Sequence, residues 1–201
     1  MTVVVPVRAL EGAKSRLGAV LDPEERRELV ERLLRRTIGA ARATPGVDRV
    51  VVVSPDGEAL ALAEAEGATP LLQRTRGLNH ALDEARVQVA GDHRLLVLPG
   101  DLPGASPAAL GAMIEAADRA RRPGVVIAPD RHGRGTNALL LDPPDVIDPA
   151  FGGDSRAAHA WLAGSTEATL VEVDGPLSLD LDTPDDLLTA ESETPEAIGV
   201  G

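Results

Sequence analysis

Residues 94–107 read RLLVLPGDLPGASP. Leu95 to Leu98 is an unbroken apolar run, as expected of a strand covered on both faces of a sheet, so Arg94–Leu98 is read as a buried strand. Pro99, Gly100 and Pro103 then make a tight loop around Asp101. Ser106 and Pro107 supply an N-cap and a first-turn proline for a helix to about Arg122. Strand, loop and helix in that order are the repeating unit of a parallel α/β sheet.

The same unit recurs towards the N-terminus. Thr2–Val7 (TVVVPV), Val47–Val53 (VDRVVVV) and Thr69–Leu72 read as strands. Asp22 and Pro23 open a helix whose apolar residues Leu29, Val30, Leu33, Leu34, Ile38 and Ala41 fall on one face. Glu58–Glu66 and Leu78–Val89 read as further helices, and Arg8–Gly18 as a loop bearing basic residues. The alternation predicts a single-domain Rossmann-like α/β fold: a mostly parallel central sheet flanked by helices.

Towards the C-terminus the rhythm changes. Strands are expected at Val125–Ala128 and Asn137–Leu141, joined as a hairpin or an irregular crossover, then a helix to Leu162 and a strand at Thr169–Val173. Residues 176–182 (PLSLDLD) lead into a last helix capped at Thr183 and Pro184. The domain is expected to span residues 1–190, with 191–201 an acidic, aperiodic and disordered tail.

Composition limits the function classes. The 201 residues suit one domain, and with one Phe, one Trp and no Tyr the core must be aliphatic. The absence of Cys excludes disulfides, thiolate metal sites and a cysteine nucleophile. A net charge of −12 argues against nucleic acid as a partner. No apolar run is long enough to span a membrane, and the first residues enter a strand without the pattern of a signal peptide, so a cytoplasmic location is expected.

Several residues are placed for chemistry. Asp101 follows a strand at the carboxyl edge, where open α/β sheets bind ligands, and its carboxylate can hold Mg²⁺; the alternative is an ordinary turn residue. Asp180 and Asp182, one residue apart, share a face in an extended segment while Leu179 and Leu181 take the other, so they could share a metal or simply form a wet face. Lys14 and Arg16 lie in the loop after the first strand, where a triphosphate would need neutralising, or are solvated surface charge. The segment GAKS at 12–15 lacks the glycines of a P-loop.

Residues 133–138 (GRGTNA) precede a strand, unlike a dinucleotide fingerprint, so they read as a plain turn or as a loop surrounding an anion with Thr136, Arg131, His132 and Arg134. Gly152, Gly153 and Ser155 precede a helix whose amides and hydroxyl could bind phosphate, with capping by Asp154 or Ser155 as the alternative. The four histidines show no metal-ligand spacing. Trp161 reads as a core or lid residue.

Seven stretches together resemble the guanylyltransferases of coenzyme F420 biosynthesis: VVVPVRALEGAKSRL (3–17), DPEERR (22–27), GLNHAL (77–82), LVLPGDLP (96–103), APDRHGRGTNALLL (128–141), FGGDSRAAH (151–159) and LDLDTPDDL (179–187). The resemblance implies a nucleotidyltransferase (GT-A-like) fold and Mg²⁺-dependent transfer of GMP from GTP to phosphoenolpyruvate or 2-phospho-L-lactate, with phosphoenolpyruvate the preferred expectation. A downstream transferase acting on the deazaflavin precursor would take the product. It implies Asp101, Asp180 and Asp182 as metal ligands, and Lys14 as a catalytic residue with Asp101 and Asp182. Thr136, Gly152 and Ser155 would contact the acceptor, Arg16 would act on the pyrophosphate, and Asn79 would line the nucleotide pocket.

The chain departs from that family pattern in four places: Gly100 for Ala, Arg134 for Thr, and Gly153 and Asp154 for Pro and Gly. Asp154 would repel an anionic acceptor unless it faces away. Rival readings are a sugar-type nucleotidyltransferase, of whose glycine-rich loop only Arg16, Leu17 and Gly18 are echoed, an Asp-x-Asp glycosyltransferase, and a non-catalytic nucleotide-binding regulator.

Overall fold

In a computed structural model that describes residues 1–10, 12–89 and 91–199, seven strands form one sheet. They are β1 (Thr2–Pro6), β2 (Arg49–Ser54), β3 (Thr69–Leu72), β4 (Leu95–Val97), β5 (Gly124–Pro129), β6 (Thr136–Asp142) and β7 (Thr169–Glu172). The order across the sheet is β3-β2-β1-β4-β6-β5-β7. Only β6 runs against the rest, pairing antiparallel with β4 and β5. The ambiguous connection at 130–135 is therefore a hairpin loop.

The helices are α1 (Pro23–Ala43), α2 (Gly57–Ala65), α3 (Leu78–Gln88), α4 (Pro107–Arg119), α5 (Ser155–Ser165), α6 (Pro184–Glu193) and α7 (Pro195–Ile198). α1 begins as its sequence demands. The Asp22 carboxylate accepts from the amides of Glu24 and Glu25 while Glu25 reaches back to the Asp22 amide, a reciprocal cap that satisfies orphan donors.

Both faces of the sheet are dry, which is why its central strands are continuous apolar runs. On one face Val3, Val5, Val50, Val52, Leu96 and Val126 pack against Leu34 and Ile38 of α1 and Leu110 and Met113 of α4. On the other, Val4, Val51, Leu95, Val97, Ile127 and Leu139 meet Ala81, Leu82 and Ala85 of α3. A third cluster lies off the sheet and joins Leu17 to Leu29 and Leu33 of α1, to Leu179 and Leu181 of the segment before α6, to Leu187 of α6, and to Ala197 and Ile198 of α7.

That third cluster corrects the expected tail. Residues 191–199 continue α6 and form α7, with Ala197 and Ile198 buried. Arg36 grips Glu196 at 2.9 Å, and the Arg32 guanidinium donates to the Ile198 carbonyl. Val200 and Gly201, also assigned to the tail, lie outside the described residues, as does Glu11 of the basic loop. The core alternative for Trp161 is likewise corrected: at 73% exposure it belongs to no core. Among the described residues no helix is long and apolar enough to cross a membrane.

Candidate active site

The strand order reverses between β1 and β4, because β2 and β3 continue to one side and β4 begins the other. At such a switch point the loops leaving adjacent strands diverge and open a crevice. The loop after β1 carries Lys14 and the loop after β4 carries Asp101, so topology alone brings them to one crevice. Lys14 Nζ donates to Asp101 Oδ2 at 2.5 Å and to Asp182 Oδ1 at 2.9 Å. Its side chain is only 8% exposed.

Asp182 arrives from the other end of the chain. A short 3₁₀ turn at Pro176–Ser178 and an irregular extended stretch carry it, in place of a strand. Asn137 Nδ2 donates to the carbonyls of Leu177 and Ser178, and the Arg131 amide donates to that of Ser178. The Leu181 amide donates to the Asp101 carbonyl. Gly104 permits the approach, since a Cβ there would lie 1.9 Å from the Pro176 carbonyl oxygen. Leu179 and Leu181 are buried with Leu17, so one apolar cluster anchors both the lysine loop and the aspartate segment. The expected alternation holds: leucines inward, aspartates towards the crevice.

Electrostatics follow from this packing. Burial alone would lower the Lys14 pKa, but Asp101 and Asp182 overcome it and hold the ammonium above its ordinary value. Burial pushes Asp182 up, yet Lys14, with Arg16 and Arg8 behind it, keeps its carboxyl below the usual range. Asp180 moves the other way, raised by burial and then by the negative charges of Asp101 and Asp182. Arg16 stands 3.8 Å from Asp182 and is largely exposed, free to reorient towards an anion.

Among the described residues no three carboxylate or imidazole side chains form a ready metal cage. The Lys14 ammonium instead joins Asp101 to Asp182, and that is where the structure departs from the three-ligand expectation. The donors nevertheless fit Mg²⁺, a hard cation that needs one or two carboxylates and completes its shell with water and substrate phosphate. Asp180 lies beside Asp101 and Asp182, and its pKa is raised first by burial and then by their negative charge.

The second group stands at the same sheet edge, because antiparallel β6 begins where β4 ends. Thr136 and Ser155 are buried, and the Thr136 amide donates to Ser155 Oγ at 2.8 Å. Gly152 is exposed in the loop before α5, its carbonyl accepting from the Ser155 amide at 3.2 Å. Asp154 makes no side-chain cap on α5. It pairs with Arg134 through two hydrogen bonds of 2.8 and 3.0 Å. Two departures from the family pattern thus pair with each other, one from the β5–β6 hairpin loop and one from the loop before α5.

Two expected contacts are spent elsewhere. Asn79 Nδ2 donates to the Phe151 carbonyl at 3.1 Å and its Oδ1 accepts from the Phe151 amide at 2.9 Å, so both ends of the amide hold the loop before α5. Arg131 pairs with the buried carboxylate of Asp186 at 2.5 Å. Asp186 also accepts from the amides of Asp182 and Thr183. Sequence reasoning missed Asp186 as a support of Asp182; the signal was there, as the fourth residue of a Thr-x-x-Asp capping pattern.

The geometry agrees with known proteins. The chain resembles a putative nucleotide-diphospho-sugar transferase from Desulfovibrio desulfuricans G20 (TM-score 0.74, 14% identity, 98% of this chain and 96% of that one). It also resembles a nucleotidyl transferase from a Methanothermobacter species (TM-score 0.70, 19% identity, 100% and 99%). At those identities the likeness establishes the fold, that of nucleotidyltransferases. A protein named phosphoenolpyruvate guanylyltransferase from Sphaerobacter thermophilus is 45% identical over 188 residues, 92% of this chain and 89% of its own. One of the same name from Rubrobacter xylanophilus is 44% identical over 192 residues, 94% and 92%. The family model described as "Guanylyl transferase CofC like" matches residues 1–191. With the family model and the relatives at 44–45% identity in agreement, this chain belongs to the CofC-like guanylyl transferases.

Proposed function

We propose that the protein transfers GMP from GTP to phosphoenolpyruvate and releases pyrophosphate, making a diphosphate-linked guanosine for a transferase that acts on the deazaflavin precursor of coenzyme F420. The observation that carries this reading is identity of 44–45% over at least 92% of the chain to relatives named for that reaction. The site supplies the chemical means.

A phosphate monoester with a second pKa near 6 is largely its own nucleophile at neutral pH. The site accordingly needs no general base. The acceptor phosphate attacks the α-phosphorus of GTP in line as pyrophosphate departs. Thr136, Ser155 and the backbone around Gly152 hold the acceptor, and Asp154 is kept from repelling it by Arg134. Lys14 and Arg16 set positive charge where the triphosphate loses its pyrophosphate. Asp101, Asp180 and Asp182 would hold Mg²⁺, which when bound offsets the charge of two anionic substrates.

The test is incubation of the protein with GTP, Mg²⁺ and either phosphoenolpyruvate or 2-phospho-L-lactate, followed by the deazaflavin precursor and its transferase, with the product acid identified by mass. A phosphoenolpyruvate-derived product supports the reading. Product from 2-phospho-L-lactate alone overturns the acceptor, and product from neither overturns the reaction.

A further inference from the structure

His159 is fully buried behind the acceptor residues and takes no part in the chemistry just described. Its Nε2 accepts a hydrogen bond from the Ala150 amide at 2.9 Å, and its Nδ1 stands 3.0 Å from Thr136 Oγ1. The Phe151 ring packs edge-on against it at a centroid distance of 5.2 Å. A backbone N–H can only donate, so Nε2 must keep its lone pair. In a neutral imidazole the single proton is then on Nδ1. Burial favours that neutral form, lowering the pKa to about 4.

The direction of the next hydrogen bond follows. Nδ1–H donates to Thr136 Oγ1, which leaves the proton of the threonine hydroxyl uncommitted. Ser155 is in the same condition, because its Oγ already accepts from the Thr136 amide. No protein group among the described residues accepts either hydroxyl proton. Two hydroxyls, each already supplied with a donor, thus keep a proton that an anion can accept.

We propose that His159 is a positioning residue of the acceptor site: its Nδ1 fixes the Thr136 hydroxyl as a donor to the acceptor's anionic group, while its Nε2 holds the loop bearing Gly152. The opposite tautomer would draw the Thr136 proton inward and leave the Ala150 amide without a partner. This inference rests on the acceptor-binding roles given above to Thr136 and Ser155.

Glutamine and asparagine separate the two ring nitrogens. The amide of His159→Gln reaches the Nε2 position and keeps the Ala150 contact, but offers nothing at Nδ1. That of His159→Asn lies near Nδ1 and can still donate to Thr136. Pyrophosphate release is measured with GTP and acceptor varied in turn. His159→Gln is expected to raise the acceptor KM about tenfold and leave the GTP KM unchanged. His159→Asn is expected to keep the acceptor KM within about threefold of the parent protein while melting earlier. Thr136→Val sets the scale, and adding His159→Gln to it is expected to cost nothing more.

An unchanged acceptor KM in His159→Gln, or equal rises for both substrates, overturns the proposal. ¹⁵N NMR of the parent protein provides a readout independent of turnover: an Nδ1-protonated, Nε2-bare ring at neutral pH supports it, and an Nε2-protonated ring overturns it. Parent protein that is inert with every acceptor sinks the reaction reading, while the tautomer still decides the donor geometry.

Discussion

Lys14 has two carboxylate partners at short range, Asp101 at 2.5 Å and Asp182 at 2.9 Å. Replacing Asp182 by asparagine removes one anion while keeping the shape. Asp182→Asn is expected to bring turnover below about one hundredth of the parent rate with the thermal midpoint shifted by no more than a few degrees. Turnover near that of the parent protein would remove Asp182 from the site. Asn79 calls for a different signature. Because both ends of its amide hold the Phe151 backbone, Asn79→Ala is expected to raise the acceptor KM about tenfold and spare the GTP KM. The reverse pattern would return Asn79 to the nucleotide pocket.

At the scale of elements, what could be read in advance follows from how local the signal is. Strands and helices up to α4 were legible because periodicity and caps act within one element, as the Asp22 and Ser106 caps do. The carboxylate face of Asp180 and Asp182 was legible for the same reason, since Leu179 and Leu181 fix the alternation. The partners of Asn79 and Arg131 lie 72 and 55 residues away, and no local pattern encodes them. α7 was misread because four residues opened by Pro195 are too short to show a period, and its stability comes from packing on α1. Gly104 joins two elements at closest approach. Gly104→Ala drives a methyl into the Pro176 backbone, with an expected loss of more than about 2 kcal/mol and a fall in thermal midpoint of about 5 °C or more. Activity should fall with it, because the displaced segment carries Asp180 and Asp182. A midpoint equal to that of the parent protein would show that the segment yields at little cost.

For the whole molecule, the buried neutral His159 links folding to pH. Its pKa is about 4 when folded and 6.5 for the free side chain, so between those values the unfolded chain binds the extra proton. Its contribution is therefore intact above pH 6.5 and is lost as pH falls towards 4. By pH 5 the expected loss is about 2 kcal/mol. Urea unfolding at pH 7.5 and pH 5 would measure it, and His159→Phe should show that much less change between the two conditions. Equal change in both proteins would mean that other groups govern acid sensitivity.

The bond from Lys14 to Asp182 spans 168 residues. A ribosome makes Lys14 and Asp101 long before residues 180–198, so a chain arrested short of residue 180 holds the lysine and its first aspartate but not the second. Nor does it have Leu181, Leu187 and Ile198, which complete the apolar cluster around Leu17. Incomplete translation products therefore carry a half-built crevice, which only the final segment of the chain completes.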